Sequence, residues 1–183
     1  MTIFNRAGTL ALAVAAMLLA GCAAGPVGNR AVPEPAKPVE LERYMGRWYE
    51  LARYENRFER GCEGVTADYS LRPDGTVDVV NTCREGSPGG EASAADGHAT
   101  VVPDSNGAKL KVSFFWPFYG DYWVLDRSQD YEWAIVGEPE GRFFWILSRD
   151  PTPGQAVLDQ HLQRARELGY DMSLVRITRQ PPT

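Results

Sequence analysis

The chain has 183 residues, of which 44% are hydrophobic and 23% are charged, and its formal net charge at pH 7 is −5. This length and composition predict a single globular domain, and the acidic charge argues against a nucleic-acid partner. The 18 glycines and 13 prolines are typical of a β protein with many turns.

Residues 1–21 have the features of a cleaved targeting segment. Arg6 precedes an apolar run over residues 7–20, which is shorter than the roughly 20 residues that cross a bilayer. The next residues, Leu19-Ala20-Gly21-Cys22, resemble the bacterial lipoprotein signal, in which the cysteine becomes a lipidated N-terminus that carries palmitate. This resemblance implies a signal peptide over 1–21 and lipidation of Cys22. A conventional signal peptide with a chance cysteine is the alternative.

Residues 22–38 contain four prolines among small and polar residues and show no hydrophobic periodicity. We predict an extended tether with a reach of roughly 50 Å, at about 3.1 Å per residue. It would join a lipid anchor to a folded domain over residues 39–180. No aspartate follows Cys22, which by the same resemblance favours the outer membrane, with the domain facing the periplasm.

Residues 46–102 predict four strands. Trp48 follows Gly46 by two positions and opens the first strand, where it is either an ordinary core residue or a plug at the end of a small barrel. The other three cover residues 65–71, 76–83 and 97–102. A turn over residues 72–75 joins the second strand to the third, and we predict a mobile loop over residues 84–96.

Four more strands are predicted over residues 109–114, 122–126, 131–136 and 142–149, with an aromatic hairpin loop at 115–120. Eight strands at regular spacing indicate an all-β fold, an eight-stranded antiparallel up-and-down β-barrel. One C-terminal helix packs outside, with Thr152 as its N-cap and Gly169 at its end. A short strand follows over residues 174–178. The helix has one apolar face, formed by Val157, Leu158, His161, Leu162, Ala165 and Leu168.

Strand direction predicts a contact between the first strand and the eighth. Trp48 begins the first strand at one end of the barrel, the floor, and Arg149 ends the eighth strand at the same end. Barrel closure places these strands side by side. The guanidinium of Arg149 should therefore lie over the indole of Trp48.

These residues resemble the lipocalin family. Gly46 and Trp48 match its first motif, Asp130-Tyr131 matches the second loosely, and Arg149 matches the third. Three further stretches, over residues 49–53, 57–61 and 111–115, are most similar to bacterial lipocalins. Those are outer-membrane lipoproteins related to apolipoprotein D and to plant temperature-induced lipocalins. The resemblance implies binding or transport of small hydrophobic ligands, such as fatty acids or lysophospholipids, rather than catalysis.

Catalytic signals are weak in this sequence. His98 and His161 lack metal-ligand spacing, so we expect neither a metal nor a cofactor. The alternative function is a lipocalin-type enzyme that acts on a small hydrophobic substrate through a cavity thiol. Cys62 and Cys83 fall near each other across the predicted hairpin, and an exported protein favours pairing them as a disulfide. That pairing would leave no free thiol in the domain.

Strand parity predicts which side chains point into the barrel. The set is apolar with a few polar groups and suits an acyl chain or a flat hydrophobe with one polar end. A barrel packed solid with its own side chains is the alternative. The predicted ligand-binding residues are Ala67, Tyr69, Val79, Asn81, Ala99, Val112, Phe114, Tyr122, Val124, Val136, Phe143 and Trp145.

The end of the barrel opposite the floor is its mouth, where the loops after the first, third, fifth and seventh strands meet. Arginines there could meet a carboxylate or phosphate headgroup, although glutamates lie among them; they are Arg53, Arg57, Arg60 and Arg84. The aromatic segment 114–119 could form a lip at the opening, a membrane contact or a homodimer surface.

Overall fold

The computed structural model describes residues 25–182. The signal peptide and Cys22 lie outside the described residues, so their assignments stay predictions. Within residues 25–182 no helix is long and apolar enough to cross a membrane.

The domain consists of consecutive strands followed by one long helix. A short helix, α1 (Leu41–Tyr44), comes first, and a ninth strand, β9 (Val175–Ile177), ends the fold after a 3-10 turn (Met172–Leu174) and the long helix α2 (Gln155–Glu167). The strands between α1 and α2 are β1 (Gly46–Tyr54), β2 (Cys62–Leu71), β3 (Val77–Glu85), β4 (Ala92–Val101), β5 (Lys109–Phe115), β6 (Phe118–Arg127), β7 (Trp133–Gly137) and β8 (Phe144–Ser148).

The sheet closes on itself. Each strand from β2 to β8 pairs antiparallel with the next, and β1 pairs with both β8 and β2. The predicted eight-stranded antiparallel barrel is confirmed. The ninth strand lies outside the eight and pairs with residues 52–54 of β1.

Polar side chains fill a seam in the wall, because β1 pairs with β2 only over residues 46–49. Beyond that point Arg53 donates to Glu50 at 2.7 Å and to the Thr178 hydroxyl at 3.0 Å. The Gln180 amide bridges the two strands through the main-chain oxygens of Glu50 and Val65. The C-terminal residues therefore complete the closure of the barrel.

Apolar side chains form two separate cores, because alternate strand residues face opposite sides of the wall. The inner core fills the barrel around Trp48, and the outer core lies between the wall and α2. Helix residues Leu158, Leu162 and Ala165 join the outer core as predicted. Val157 does not, since 37% of it is exposed.

Several predicted boundaries were wrong. The second strand begins at Cys62 instead of residue 65, and the sixth begins at Phe118 instead of residue 122, which reduces the predicted loop over residues 115–120 to a tight turn. The fourth strand begins at Ala92 instead of residue 97, because residues 92–96 pair with residues 80–84 of β3. Main-chain pairing with β3 holds residues 92–96 in a strand, although their side chains do not alternate between apolar and polar. The helix begins at Gln155, and the residue before it, Gly154, has a non-helical φ of 83°. Thr152 therefore does not cap the helix as predicted.

The N-terminal segment is docked on the barrel, which corrects the expectation of a free tether. We call residues 25–39 the strap. At the floor its Val39 amide donates to the Asn106 oxygen at 2.9 Å, and Lys37 pairs with Asp126 at 2.7 Å. At the mouth the Gly28 amide donates to the Gly141 oxygen at 2.8 Å. The strap therefore runs the length of the wall.

Candidate functional site

The floor of the barrel is closed by α1 and by two contacts of Trp48. The Trp48 indole is fully buried and donates to the Tyr44 oxygen at 2.8 Å. The Arg149 guanidinium covers its other side at 3.8 Å from the ring centroid. The geometry matches the contact expected between these two residues, and Gly46 begins the strand with φ 89°.

Part of the predicted lining is packed into the wall. Four of its side chains keep at most 3% of their surface exposed, and they are Val79, Ala99, Val124 and Val136. Ala67 and Tyr69 keep 9% each, and Ala67 lies opposite Trp48 in the sheet. All six belong to the inner core.

The rest of the predicted lining leaves surface uncovered. Its members point inward but are only partly buried, and they are Asn81, Val112, Phe114, Tyr122, Phe143 and Trp145. Phe143 precedes β8 and stacks on Trp145 with ring centroids 5.7 Å apart. Their neighbours in the barrel therefore leave part of each of these side chains uncovered. The two best-formed pockets among residues 25–182 lie outside the barrel, beside α2, so the choice between an open and a solidly packed interior stays a prediction.

Gly97 makes room for Phe114. A Cβ atom at Gly97 would lie 2.8 Å from the Phe114 ring. The ring therefore lies directly across the β4 backbone, which no larger residue would allow. Sequence parity placed Phe114 inside but did not identify this partner.

Three tyrosine hydroxyls meet in the interior. The Tyr122 oxygen lies 2.8 Å from that of Tyr44 and 3.0 Å from that of Tyr69. Desolvation by burial raises the pKa of Tyr69 to about 12, and burial likewise raises the pKa of Tyr122. All three phenols are neutral at pH 7. Two mutual hydrogen bonds use two of the three protons, so one proton is left for another acceptor.

Asn81 offers an unpaired hydrogen-bond acceptor. Its side-chain oxygen is buried and has no hydrogen-bond partner among residues 25–182. A buried acceptor without a donor costs roughly 1–3 kcal/mol. A hydroxyl or a water in the barrel would remove that cost.

Glu59 lies at the mouth, as the sequence predicted, but its contact with the inner wall was not predicted. Its carboxylate accepts a hydrogen bond from the Trp145 indole at 3.0 Å and another from the Asn56 amide. It therefore holds the β1–β2 loop against the inner wall. A polar loop residue carries no periodic signal, so only the folded loop shows this contact.

The rim arginines divide into buried and exposed residues. Arg53 is completely buried and bonds to Glu50, Thr178 and main-chain oxygens of the next loop, so the headgroup role suggested for it was wrong. Arg84 is half-buried and donates to the Gly90 oxygen. Arg57 and Arg60 are exposed at the mouth, so the headgroup role stays a prediction for these two residues.

The cysteines are paired. Cys62 and Cys83 form a disulfide with their Cα atoms 5.2 Å apart, as predicted, and it joins β2 to β3 at the mouth. No free thiol is left within residues 25–182, so the thiol-enzyme alternative lacks its nucleophile there. The same residues contain no group of three potential metal ligands.

Neither histidine lines the barrel interior. His161 packs on Trp133 at 4.9 Å between ring centroids, and burial lowers its pKa. His98 faces outward and lies 3.2 Å from the Tyr119 hydroxyl. Both positions agree with structural roles.

Comparison with known proteins identifies the family. Residues 39–180 match the lipocalin-like domain. The chain is 42% identical to the outer membrane lipoprotein Blc of Vibrio cholerae over 87% of its length and 91% of the relative's. It is 40% identical to temperature-induced lipocalin-1 of Arabidopsis thaliana over 82% and 84%.

A solved structure shares the fold. Insecticyanin from Manduca sexta superposes with a TM-score of 0.64 at 21% identity, over 81% of this chain and 84% of the other. Three findings support the same assignment. They are the family match, the closed barrel and the contact between Trp48 and Arg149 at the floor. The chain belongs to the lipocalin-like family.

Proposed function

We propose that this protein binds a single-chain lipid, such as a fatty acid or a lysophospholipid, inside the barrel and is attached to the outer membrane through Cys22. The observation that carries the proposal is the uncovered inward surface of Val112, Phe114, Tyr122 and Trp145. A barrel of eight strands is wide enough to hold one small ligand. The protein acts as a binding protein and not as an enzyme.

The chemistry of the interior favours an acyl chain. Val112, Phe114 and Trp145 supply apolar and aromatic contacts, and each buried CH₂ contributes about 0.8 kcal/mol. Asn81 and the tyrosine cluster are the polar exceptions. The unpaired Asn81 oxygen would accept from a ligand hydroxyl, which a lysophospholipid carries.

The headgroup is proposed to stay at the mouth. Arg57 and Arg60 are exposed there and offer charge-assisted hydrogen bonds to a phosphate or carboxylate. Glu59 lies between them and the interior, bonded to Trp145. Its charge would keep an anionic headgroup outside while the apolar tail enters.

Two observations support membrane attachment. Cys22 follows the short apolar run that typifies a lipoprotein signal. Several relatives that match most of this chain have the name outer membrane lipoprotein Blc. Palmitate on Cys22 would be part of that anchor.

Calorimetric titration of delipidated protein with palmitate and with a lysophospholipid tests the site. Val112→Trp should fill the uncovered space and weaken binding at least about tenfold, or about 1.4 kcal/mol. Lys111→Trp is the matched control, because Lys111 is exposed on the outer face of the same strand. Unchanged affinity in a folded Val112→Trp variant would place the ligand outside the barrel.

A further inference from the structure

The strap determines at which end of the barrel the N-terminus leaves. Gly28 and Asn29 both donate their amides to the Gly141 oxygen, at 2.8 and 3.1 Å. Arg142 donates to the Gly25 oxygen at 2.6 Å. Gly141 and Arg142 lie in the loop between β7 and β8, which is a mouth loop. The chain therefore enters the folded domain at the mouth and reaches the floor at Lys37 and Val39.

The contact between the strap and the mouth leaves no room for a side chain at two of its glycines. A Cβ atom at Gly28 would lie 2.1 Å from the Tyr54 ring, and one at Gly141 would lie 1.8 Å from the Asn29 oxygen. The Asn29 side chain is buried and donates to the Leu168 oxygen at 3.0 Å. Only glycine lets the strap lie against the Tyr54 ring at position 28 and lets the β7–β8 loop approach the strap backbone at position 141. The strap is therefore held in one position at the mouth.

Little chain separates this contact from the proposed anchor. Cys22 precedes Gly25 by three residues, and an extended chain spans at most about 3.6 Å per residue. A lipid on Cys22 would therefore lie within roughly 11 Å of Gly25. The free tether expected from sequence would have allowed any orientation, whereas the docked strap does not.

Large apolar side chains are exposed at the same end. Three of them lie in the hairpin between β5 and β6, where Phe115 is 71% exposed, Trp116 80% and Phe118 76%. Phe58, in the loop between β1 and β2, is 62% exposed. We call these four residues the aromatic rim. The turns at the floor contain Pro73, Asp74, Asp104 and Asn106 instead and expose no large aromatic side chain within residues 25–182.

We propose that the aromatic rim is a membrane-docking surface, so that the mouth faces the bilayer that holds the Cys22 anchor. This inference rests on the proposed lipidation. Aromatic side chains favour the interfacial layer of a bilayer, where an apolar ring meets lipid at headgroup depth. Arg57 stacks on Phe58 at 4.6 Å and offers a positive charge to anionic lipid at that level.

The anchor favours the membrane over a second copy of the chain as the occupant. One acyl anchor already holds the rim near lipid, so the docking step is intramolecular and needs only weak additional contacts. A hydrophobic ligand would then pass between bilayer and barrel without crossing water. The rim thereby gives the binding site a direct route to its ligand.

A fluorescent label on the full acylated protein tests the orientation. The native cysteines are acylated or paired, so Trp116→Cys or Phe58→Cys at the rim and Pro73→Cys at the floor each introduce one labelling site. Each variant is reconstituted in phosphatidylethanolamine–phosphatidylglycerol vesicles that contain brominated lipid. The rim labels should be quenched by bromine and emit at shorter wavelength, and the Pro73→Cys label should do neither.

Three outcomes would overturn the proposal. Equal quenching at both ends would mean no preferred orientation, and no quenching at the rim would mean no docking. Rim emission that follows the protein-to-lipid ratio but not bromination would assign the surface to a second copy. The mass of the purified protein reports acylation of Cys22 separately, so a missing lipid is distinguished from a rim that does not dock.

Discussion

The Arg149 guanidinium lies over the Trp48 indole at 3.8 Å from the ring centroid. Arg149 also donates to five main-chain oxygens, four of them in and around the short helix α1 and one in the turn before β7. The pair therefore joins the first strand, the last barrel strand and the helix that covers the floor. This end of the barrel is therefore held together by contacts among three elements of the fold.

Trp48→Ala should lower the free energy of unfolding by about 3–5 kcal/mol, as expected for a large-to-small change in a core. Trp48 is fully buried, so a cavity would remain beneath Arg149. Urea denaturation measures the change. A variant with the stability of the wild type would remove the structural role assigned to the floor.

Arg149→Lys should cost roughly 1–3 kcal/mol although the charge is kept. An ammonium group cannot reach all the main-chain oxygens that the guanidinium fork satisfies, and the part-buried oxygens left without a donor are costly. Arg47→Lys is the control. Arg47 pairs with Asp68 on an exposed surface, where such pairs contribute little. Equal effects of the two changes would contradict the prediction.

Loss of the Cys62–Cys83 disulfide should destabilise the domain by about 3 kcal/mol on the chain-entropy account, because it closes a loop with a sequence separation of 21. Thermal melting with and without a thiol reductant measures the loss. The double variant Cys62→Ser/Cys83→Ser should melt at the temperature of the reduced protein and should not respond to reductant. Two reactive thiols in the denatured, unreduced domain would refute the pairing.

Asp126 should make the free energy of unfolding depend on pH in the acid range. Burial raises its pKa, but hydrogen bonds from Lys37 and Arg164 outweigh burial and hold the pKa below its ordinary value. A carboxyl group with a lowered pKa in the folded state stabilises the protein above about pH 4 and loses that effect as the pH falls further.

Asp126→Asn tests this dependence. It should cost about 1–2 kcal/mol at pH 7, a value reduced because Lys37 and Arg164 are half exposed. The difference from wild type should shrink as the pH falls below 4. An equal difference at pH 7 and pH 3 would show that Asp126 does not titrate in this range.

Cys22→Ser should release the protein from the membrane fraction. The hydroxyl cannot be acylated as the thiol is, so the variant would lack the proposed lipid anchor. Fractionation followed by mass spectrometry of the wild type measures both localisation and acylation. A variant that stays with the membranes would show that another contact anchors the protein.

Local sequence patterns determined most of the barrel. Alternation in β5 and the Pro-Asp-Gly turn after β2 specify strands and a hairpin because side chains in a strand alternate between its two faces. Counting strand directions was then enough to bring Trp48 beside Arg149 and Cys62 beside Cys83. These relationships follow from periodicity and chain reversal, which are properties of neighbouring residues.

Only the tertiary structure revealed the contacts whose residues show no periodic pattern in the sequence. The strap, the seam around Arg53 and the contact of Glu59 with Trp145 depend on polar hydrogen bonds between segments distant in the chain. Their residues look like linker or loop residues in sequence. Parity placed Val136 and Val112 alike inside the barrel, but only packing buries the first and leaves surface on the second. Free space depends on how all the side chains fill the interior together, which no local pattern contains.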